Sequence, residues 1–273
     1  MSPTSYQTAL PRGDLRTIHR RVSGLLVFVV DGSMGSAARG CDAAAPPPMT
    51  LRLLLDSADP DAWGEWLPTG LFRGVTTNPT LLRRADQPCS LEHLAELTAR
   101  ALELGAEELH LQAWGEDLLA CGRALAQLAP GRIWVKLPIT FAGAAAARAL
   151  ISEGCSVTFT ACYEPAQVLL AAALGADYIA PYLGRISDLG RDGHAELTRM
   201  QRIVDTLRRA DPDSPGAAPR LLVASLRSPN DLAHLAAEGL DTFTISPDIA
   251  TALFAVEPTR AAAAQFERDA EGT

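Results

Sequence analysis

From Thr50 onward the chain alternates between two hydrophobic patterns. Short runs rich in Val, Ile, Leu and Thr read as strands. Longer Ala/Leu-rich stretches, with apolar residues recurring every three or four positions, read as helices. The strand runs cover 51–56, 72–78, 108–113, 132–138, 156–161, 178–183, 220–225 and 242–246. The helical stretches cover 91–104, 116–128, 141–153, 165–174, 195–210, 230–238 and 248–254, with a shorter one near 62–67 and a last one at 258–269. Gly105, Gly154, Gly175 and Gly239 stand just past helical stretches, where a left-handed stop residue belongs. Strands alternating with helices imply right-handed crossovers and a parallel sheet. Eight such units in about 220 residues match the size of a closed (β/α)8 barrel of the α/β class, a TIM barrel. A doubly wound open sheet would want a GxGxxG turn after an early strand, and the chain has none.

Residues 1–48 break the alternation. Arg12, Arg16, Arg20 and Arg21 precede a short apolar run from Leu25 to Val30, and Ala43-Ala44-Ala45-Pro46-Pro47-Pro48 follows. That order is a weak image of a signal peptide, but the apolar part is short and ends at Asp31. We read 1–48 as a disordered extension and 49–273 as the barrel domain, with Met49, just before the first strand, a plausible start. No stretch approaches the ~20 apolar residues of a membrane span.

The 273 residues carry 24 basic and 32 acidic side chains, a formal charge of −8. This balance argues against a nucleic-acid-binding surface. Five scattered cysteines form no CxxC pair and the five histidines no HxH or HExxH, so neither a disulfide framework nor a metal centre is expected, and a reducing cytoplasm is the default. One count changes the picture further. Of the 24 basic residues 23 are arginine, and the single lysine, Lys136, lies inside the apolar run Ile133-Trp134-Val135-Lys136-Leu137-Pro138. Arginine stays protonated and cannot form an imine. A desolvated lysine can lose its proton and attack a carbonyl.

In a parallel barrel the chemistry gathers at the C-terminal strand ends. Those ends carry Asp56, Thr76-Thr77-Asn78, Gln112, Lys136, Thr158 and Thr160, Tyr182 with Arg185, Ser225 with Arg227, and Ser246. Four of the segments form a recognisable set: Gly74-Val75-Thr76-Thr77-Asn78-Pro79, Val135-Lys136-Leu137-Pro138-Ile139-Thr140, Ala180-Pro181-Tyr182-Leu183-Gly184-Arg185-Ile186 and Ala224-Ser225-Leu226-Arg227. Together they resemble the transaldolase family, in particular its short branch, which includes fructose-6-phosphate aldolase. The resemblance spans residues 51 to 270; the first 48 residues have no counterpart in it.

The resemblance implies a Schiff-base enzyme that needs no cofactor and no metal, with Lys136 as the imine-forming residue. It implies that Asp56 handles a substrate hydroxyl proton, that Gln112 and Thr160 hold the water that shuttles protons, and that Tyr182 acts at the reacting oxygen. Asn78, with Thr77 beside it, would hold the dihydroxyacetone hydroxyls, and Arg185, Ser225 and Arg227 the phosphate. Plainer roles are open to several of these residues: Asp56 as a cap for the segment after it, Asn78 as a turn residue before Pro79, Thr160 as a structural strand residue and either arginine as a surface ion-pair partner. Gln112, Ala180 and Tyr182 are similar to the aldolase branch, whereas Gly184 is similar to transaldolases proper. The implied reaction is cleavage of fructose 6-phosphate to dihydroxyacetone and glyceraldehyde 3-phosphate. The alternative is transfer of the three-carbon unit to erythrose 4-phosphate, as in the pentose phosphate pathway. The implied partners are a small sugar phosphate and further copies of the chain, in a pentamer or decamer with the last helix packed on a neighbour.

Overall fold

The computed structural model describes residues 18–22, 25–29, 51–210 and 218–272. The chain divides into two units, Met1–Pro48 and Met49–Thr273. In the first, Ile18–Val22 and Leu25–Val29 pair as an antiparallel ladder. The rest of that unit, on which the reading of a disordered extension bears, lies outside the described residues, as does Met49.

The second unit carries eight parallel strands: β1 (Arg52–Asp56), β2 (Gly74–Thr76), β3 (Glu108–Gln112), β4 (Ile133–Pro138), β5 (Ser156–Cys162), β6 (Tyr178–Pro181), β7 (Arg220–Leu221) and β8 (Thr242–Ile245). They pair in the order β8-β1-β2-β3-β4-β5-β6-β7, and a parallel bridge between Val223 and Phe243 brings the last strand back to β8. The fold is the (β/α)8 barrel the alternation predicts.

The helices are α1 (Pro60–Trp66), α2 (Pro79–Arg84), α3 (Leu91–Glu103), α4 (Leu118–Leu128), α5 (Phe141–Ser152), α6 (Ala166–Leu174), α7 (Leu183–Asp188), α8 (Gly193–Ala210), α9 (Pro229–Ala237), α10 (Pro247–Phe254) and α11 (Glu257–Glu271). Four of them open in one way: Asp59-Pro60, Asn78-Pro79, Ser228-Pro229 and Ser246-Pro247 each place a side-chain cap before a proline at the first helical position. The cap oxygen meets an orphan backbone N–H, and proline has none to satisfy. The chain therefore turns sharply from strand end to helix, which keeps the rim loops short.

Successive strand residues face opposite sides. Leu55, Val75, Leu109, Val135, Leu137, Phe159, Ile179 and Phe243 are fully buried in the layer between sheet and helices. Each contributes roughly 1.5–3 kcal/mol on leaving water. The opposite set faces the barrel axis, where Leu54, Tyr178, Ala180, Leu222 and Trp134 form a small apolar cluster. Buried polar groups share that interior: His110 Nδ1 lies 2.8 Å from Thr158 Oγ1, and the Tyr178 hydroxyl donates to Glu108 Oε2 at 3.2 Å. Burial lowers the pKa of His110, so its ring is neutral. Gly74 is required where β2 pairs with β3, because a Cβ there would stand 1.8 Å from the Glu108 carbonyl oxygen.

Some boundaries differ from the sequence reading. β6 stops at Pro181, and Leu183 already opens α7. β7 is only two residues long, with Val223 and Ala224 held by isolated bridges. The short helices α2 and α7 were not anticipated. The last helix, α11, has no buried residue, and Phe266 on it is 69% exposed.

Candidate active site

At the C-terminal end of the strands lies a cavity of about 290 Å³. Eight of the expected residues line it: Asp56, Asn78, Lys136, Thr160, Tyr182, Arg185, Ser225 and Arg227. Lys136 is on β4, in register with Gln112 on β3 and Thr158 on β5. Its side chain is 5% exposed, and Nζ donates a hydrogen bond of 2.9 Å to the Thr77 carbonyl. Burial holds the amine below the ordinary lysine range, while the Asp56 charge pulls the other way. In its deprotonated form, an amine that donates to one carbonyl keeps its lone pair for an electrophile.

Asp56 ends β1, and Oδ1 accepts from Thr76 Oγ1 at 2.6 Å. That hydroxyl also lies 2.6 Å from Thr244 Oγ1, which ties the carboxylate to β2 and β8. The capping role open to Asp56 belongs instead to Asp59. Asn78 does cap: Oδ1 accepts from the Thr80 and Leu81 N–H groups at 2.9 and 3.0 Å. Capping fixes the side chain and leaves its NH2 group for a ligand, so the turn role and the binding role are compatible in one residue.

Tyr182 stands at the start of α7, and its hydroxyl is 2.6 Å from Thr160 Oγ1. Burial raises its pKa despite that hydrogen bond, so the phenol keeps its proton at neutral pH. The Arg185 guanidinium lies 5.0 Å from the centre of the Tyr182 ring, and Arg185 belongs to α7 rather than to a strand end. Arg227 donates through Nη2 to Asp188 Oδ2, and its backbone N–H donates to Asp231 Oδ2 at 3.0 Å. Gly184 lets these pieces meet, since a Cβ there would sit 2.6 Å from both Arg227 Nε and the Ser225 carbonyl oxygen.

Two expected residues stand apart from the cavity wall. Thr77 contributes its carbonyl to Lys136 while its hydroxyl is buried without a partner. Gln112 sits beside Lys136 in the ladder but does not line the cavity. Other wall residues escaped the sequence reading, Arg84 and Thr244 among them. Arg84 follows the Thr-Thr-Asn-Pro turn on the unanticipated helix α2, which is why its charge was not placed at the rim. The mouth also holds two non-glycine residues with left-handed backbone, Ala161 (φ 56°) beside a register shift in β5 and Ser225 (φ 60°) after β7. Such strain persists where the surroundings enforce it, commonly at functional sites.

A buried amine, an acidic group and a phenol gather at the open end of a (β/α)8 barrel, the end at which enzymes of this architecture carry their chemistry. Residues 53–272 match the family model described as Transaldolase/Fructose-6-phosphate aldolase. A probable transaldolase of Caulobacter sp. (strain K31) is 38% identical over 224 residues, covering 82% of this chain and 98% of that protein. A probable transaldolase of Rhodospirillum centenum is 33% identical over 226 residues, covering 82% and 92%. Among solved structures, one described as "Native KDPGal structure" has a TM-score of 0.50 at 13% identity over 74% of this chain and 83% of that one, a likeness of fold alone. The chain belongs to the transaldolase/fructose-6-phosphate aldolase family and is an enzyme of the aldolase/transaldolase type.

Proposed function

We propose that the protein is a Schiff-base (class I) aldolase that cleaves fructose 6-phosphate reversibly to dihydroxyacetone and glyceraldehyde 3-phosphate. The observation that carries this reading is the buried amine of Lys136, the chain's only lysine, with one hydrogen bond and an open cavity before it. The neutral amine adds to the C2 carbonyl, and loss of water gives an iminium. Removal of the C4 hydroxyl proton, assigned to Asp56, lets the C3–C4 bond break, with its electron pair taken up by the iminium as an enamine. Glyceraldehyde 3-phosphate leaves. Protonation at C3, with Tyr182 and Thr160 passing the proton, and addition of water at C2 release dihydroxyacetone and restore the amine. Asn78 orients the hydroxyls of the three-carbon unit. Arg185, Arg227 and Ser225 take the phosphate, which suits the paired donors of a guanidinium. Gln112 orients water without ionising.

A second reading is favoured by the curated relatives, which are called probable transaldolases. In it the enamine survives until erythrose 4-phosphate binds and accepts the three-carbon unit. Product analysis with and without that acceptor tests both. Glyceraldehyde 3-phosphate released from fructose 6-phosphate alone, with borohydride trapping a substrate adduct at Lys136, supports the aldolase. Strict dependence on acceptor refutes it in favour of transfer, and failure to trap an adduct refutes both.

Two broader assignments rest on the same reading. Phe254 at the end of α10, Val256 just before α11 and Phe266 on α11, all at least 46% exposed, support a homo-oligomer, pentameric or decameric, in which a neighbour covers them. The unpaired Cys89, Cys121, Cys155 and Cys162 support a reducing cytoplasm. Among the described residues no helix is long and apolar enough to cross a membrane.

A further inference from the structure

Arg227 lies in the segment that joins β7 to α9, and its side chain is 57% exposed. A long side chain on such a turn has many rotamers, and a ligand that must order it binds more weakly. Two carboxylates hold this one. Asp188, at the end of α7, accepts from the guanidinium through Oδ2. Asp231, in the first turn of α9, holds the root: its Oδ2 accepts from the backbone N–H groups of Arg227 and Ser228, both at 3.0 Å. The bond from Ser228 is half of a capping box, whose other half runs from the Asp231 N–H to Ser228 Oγ at 3.2 Å. The bond from Arg227 reaches one residue further back than such a box needs.

Asp231 is braced from a third helix. His194, in the first turn of α8, brings Nε2 to 3.2 Å from the other oxygen, Oδ1, and its ring meets that of His234 edge-on with 4.7 Å between centres. The segment also carries Ser225 at φ 60°, whose carbonyl accepts from the Gly184 N–H of α7 at 2.9 Å. Arg185 stands on that same helix, so the contacts that hold Arg227 also set its place relative to the second arginine. Charge gives no reason for this arrangement, since a carboxylate beside an anion site opposes the anion. What Asp231 supplies is orientation.

We infer that Asp231 is a positioning residue for phosphate recognition: it aims Arg227 at the cavity by holding its backbone N–H, with His194 behind the carboxylate. The inference rests on the assignment of Arg227 to the phosphate. The test is equilibrium dialysis of the full chain with labelled inorganic phosphate, on the native protein, Asp231→Ala, Asp231→Asn and Arg227→Ala, together with KM and kcat for fructose 6-phosphate. Alanine removes both the acceptor and the charge; asparagine removes the charge and keeps an oxygen for the two N–H groups. Both keep the backbone N–H that meets Ser228 Oγ, so α9 stays capped. By charge alone both variants would bind phosphate more tightly than the native chain. Positioning separates them: Asp231→Ala binds about fivefold or more weakly, with KM raised and kcat little changed, and Asp231→Asn binds at least as tightly as the native chain. Phosphate affinity in Asp231→Ala equal to or above the native value, with Arg227→Ala weakened, overturns the inference and leaves the phosphate site standing. Asp231→Asn as weak as Asp231→Ala also overturns it. Native affinity in Arg227→Ala refutes the phosphate assignment and this inference with it. A native chain that binds phosphate without turning over fructose 6-phosphate refutes the proposed reaction, and the dialysis still decides the role of Asp231.

Discussion

Replacing Lys136 by methionine separates the cost of keeping an amine in the barrel from its use. Methionine fills the same space with no charge and no nucleophile. Turnover and borohydride trapping should both vanish, because no other side chain in the molecule can form the imine. Stability should move in a direction that depends on pH. Burial holds the folded-state pKa of Lys136 below the ordinary 10.5. Below the folded pKa both states carry the proton, and the buried cation destabilises the fold by about 1.4 kcal/mol per unit of depression. Between the folded and unfolded values the unfolded chain binds more protons, so stability rises with pH. Above about 10.5 the penalty is gone. Methionine never incurs it but forfeits the bond to the Thr77 carbonyl, a loss of about 1 kcal/mol. One unit of depression therefore makes the variant at least as stable as the native protein at pH 7, and a larger depression makes it more stable. At pH 11 the order should reverse, with the variant about 1 kcal/mol weaker. Urea unfolding of both proteins from pH 6 to 11 measures the difference, from which alkaline effects common to both cancel. A difference that does not change with pH would refute the claim that burial depresses the pKa of this amine, and residual turnover would refute its proposed catalytic role.

Tyr182→Phe removes the hydroxyl 2.6 Å from Thr160 and should slow acceptor-free release of dihydroxyacetone by about 10²–10⁴-fold, while transfer to erythrose 4-phosphate falls much less; an equal loss in both assays would contradict the role given to the phenol. Arg227→Ala should raise KM for fructose 6-phosphate by roughly ten- to a hundredfold and leave the slow cleavage of unphosphorylated fructose unchanged, as steady-state kinetics on the two substrates would show. Gly74→Ala should destabilise the barrel by more than about 4 kcal/mol, or prevent folding, because the new Cβ meets backbone 1.8 Å away rather than a side chain that could move; thermal unfolding decides it.

All eight strands were legible because their outward faces are apolar, as in Val135 and Leu137 or Phe159 and Phe243. The ends of α3, α5, α6 and α9 were legible from the glycines just past them, Gly105, Gly154, Gly175 and Gly239, which all adopt positive φ. The six-residue helices α2 and α7 were hidden, since one and a half turns show too little periodicity to separate from a strand end. That miss displaced Arg185 from strand to helix and left Arg84 out of the site altogether. Gln112 was placed correctly in register beside Lys136, but a pairing along the ladder does not say which side chains reach the open space above it. Nor does sequence foretell the left-handed backbone of Ala161 and Ser225, which surrounding structure imposes on residues that do not prefer it.

The short caps at the rim divide the labour of this molecule between parts that tolerate change and parts that do not. Lys136 faces the axis only because its strand keeps a two-residue repeat, so deleting a single position within β4 would swing the amine outward beneath the helices and extinguish chemistry at a stroke. Helix α7 and the turn before α9 carry Arg185 and Arg227, the groups that the proposed reaction assigns to the phosphate, and both lie outside that repeat. New substrate preferences in this scaffold should therefore arise by rewriting those two connections, with the staves of the barrel left alone.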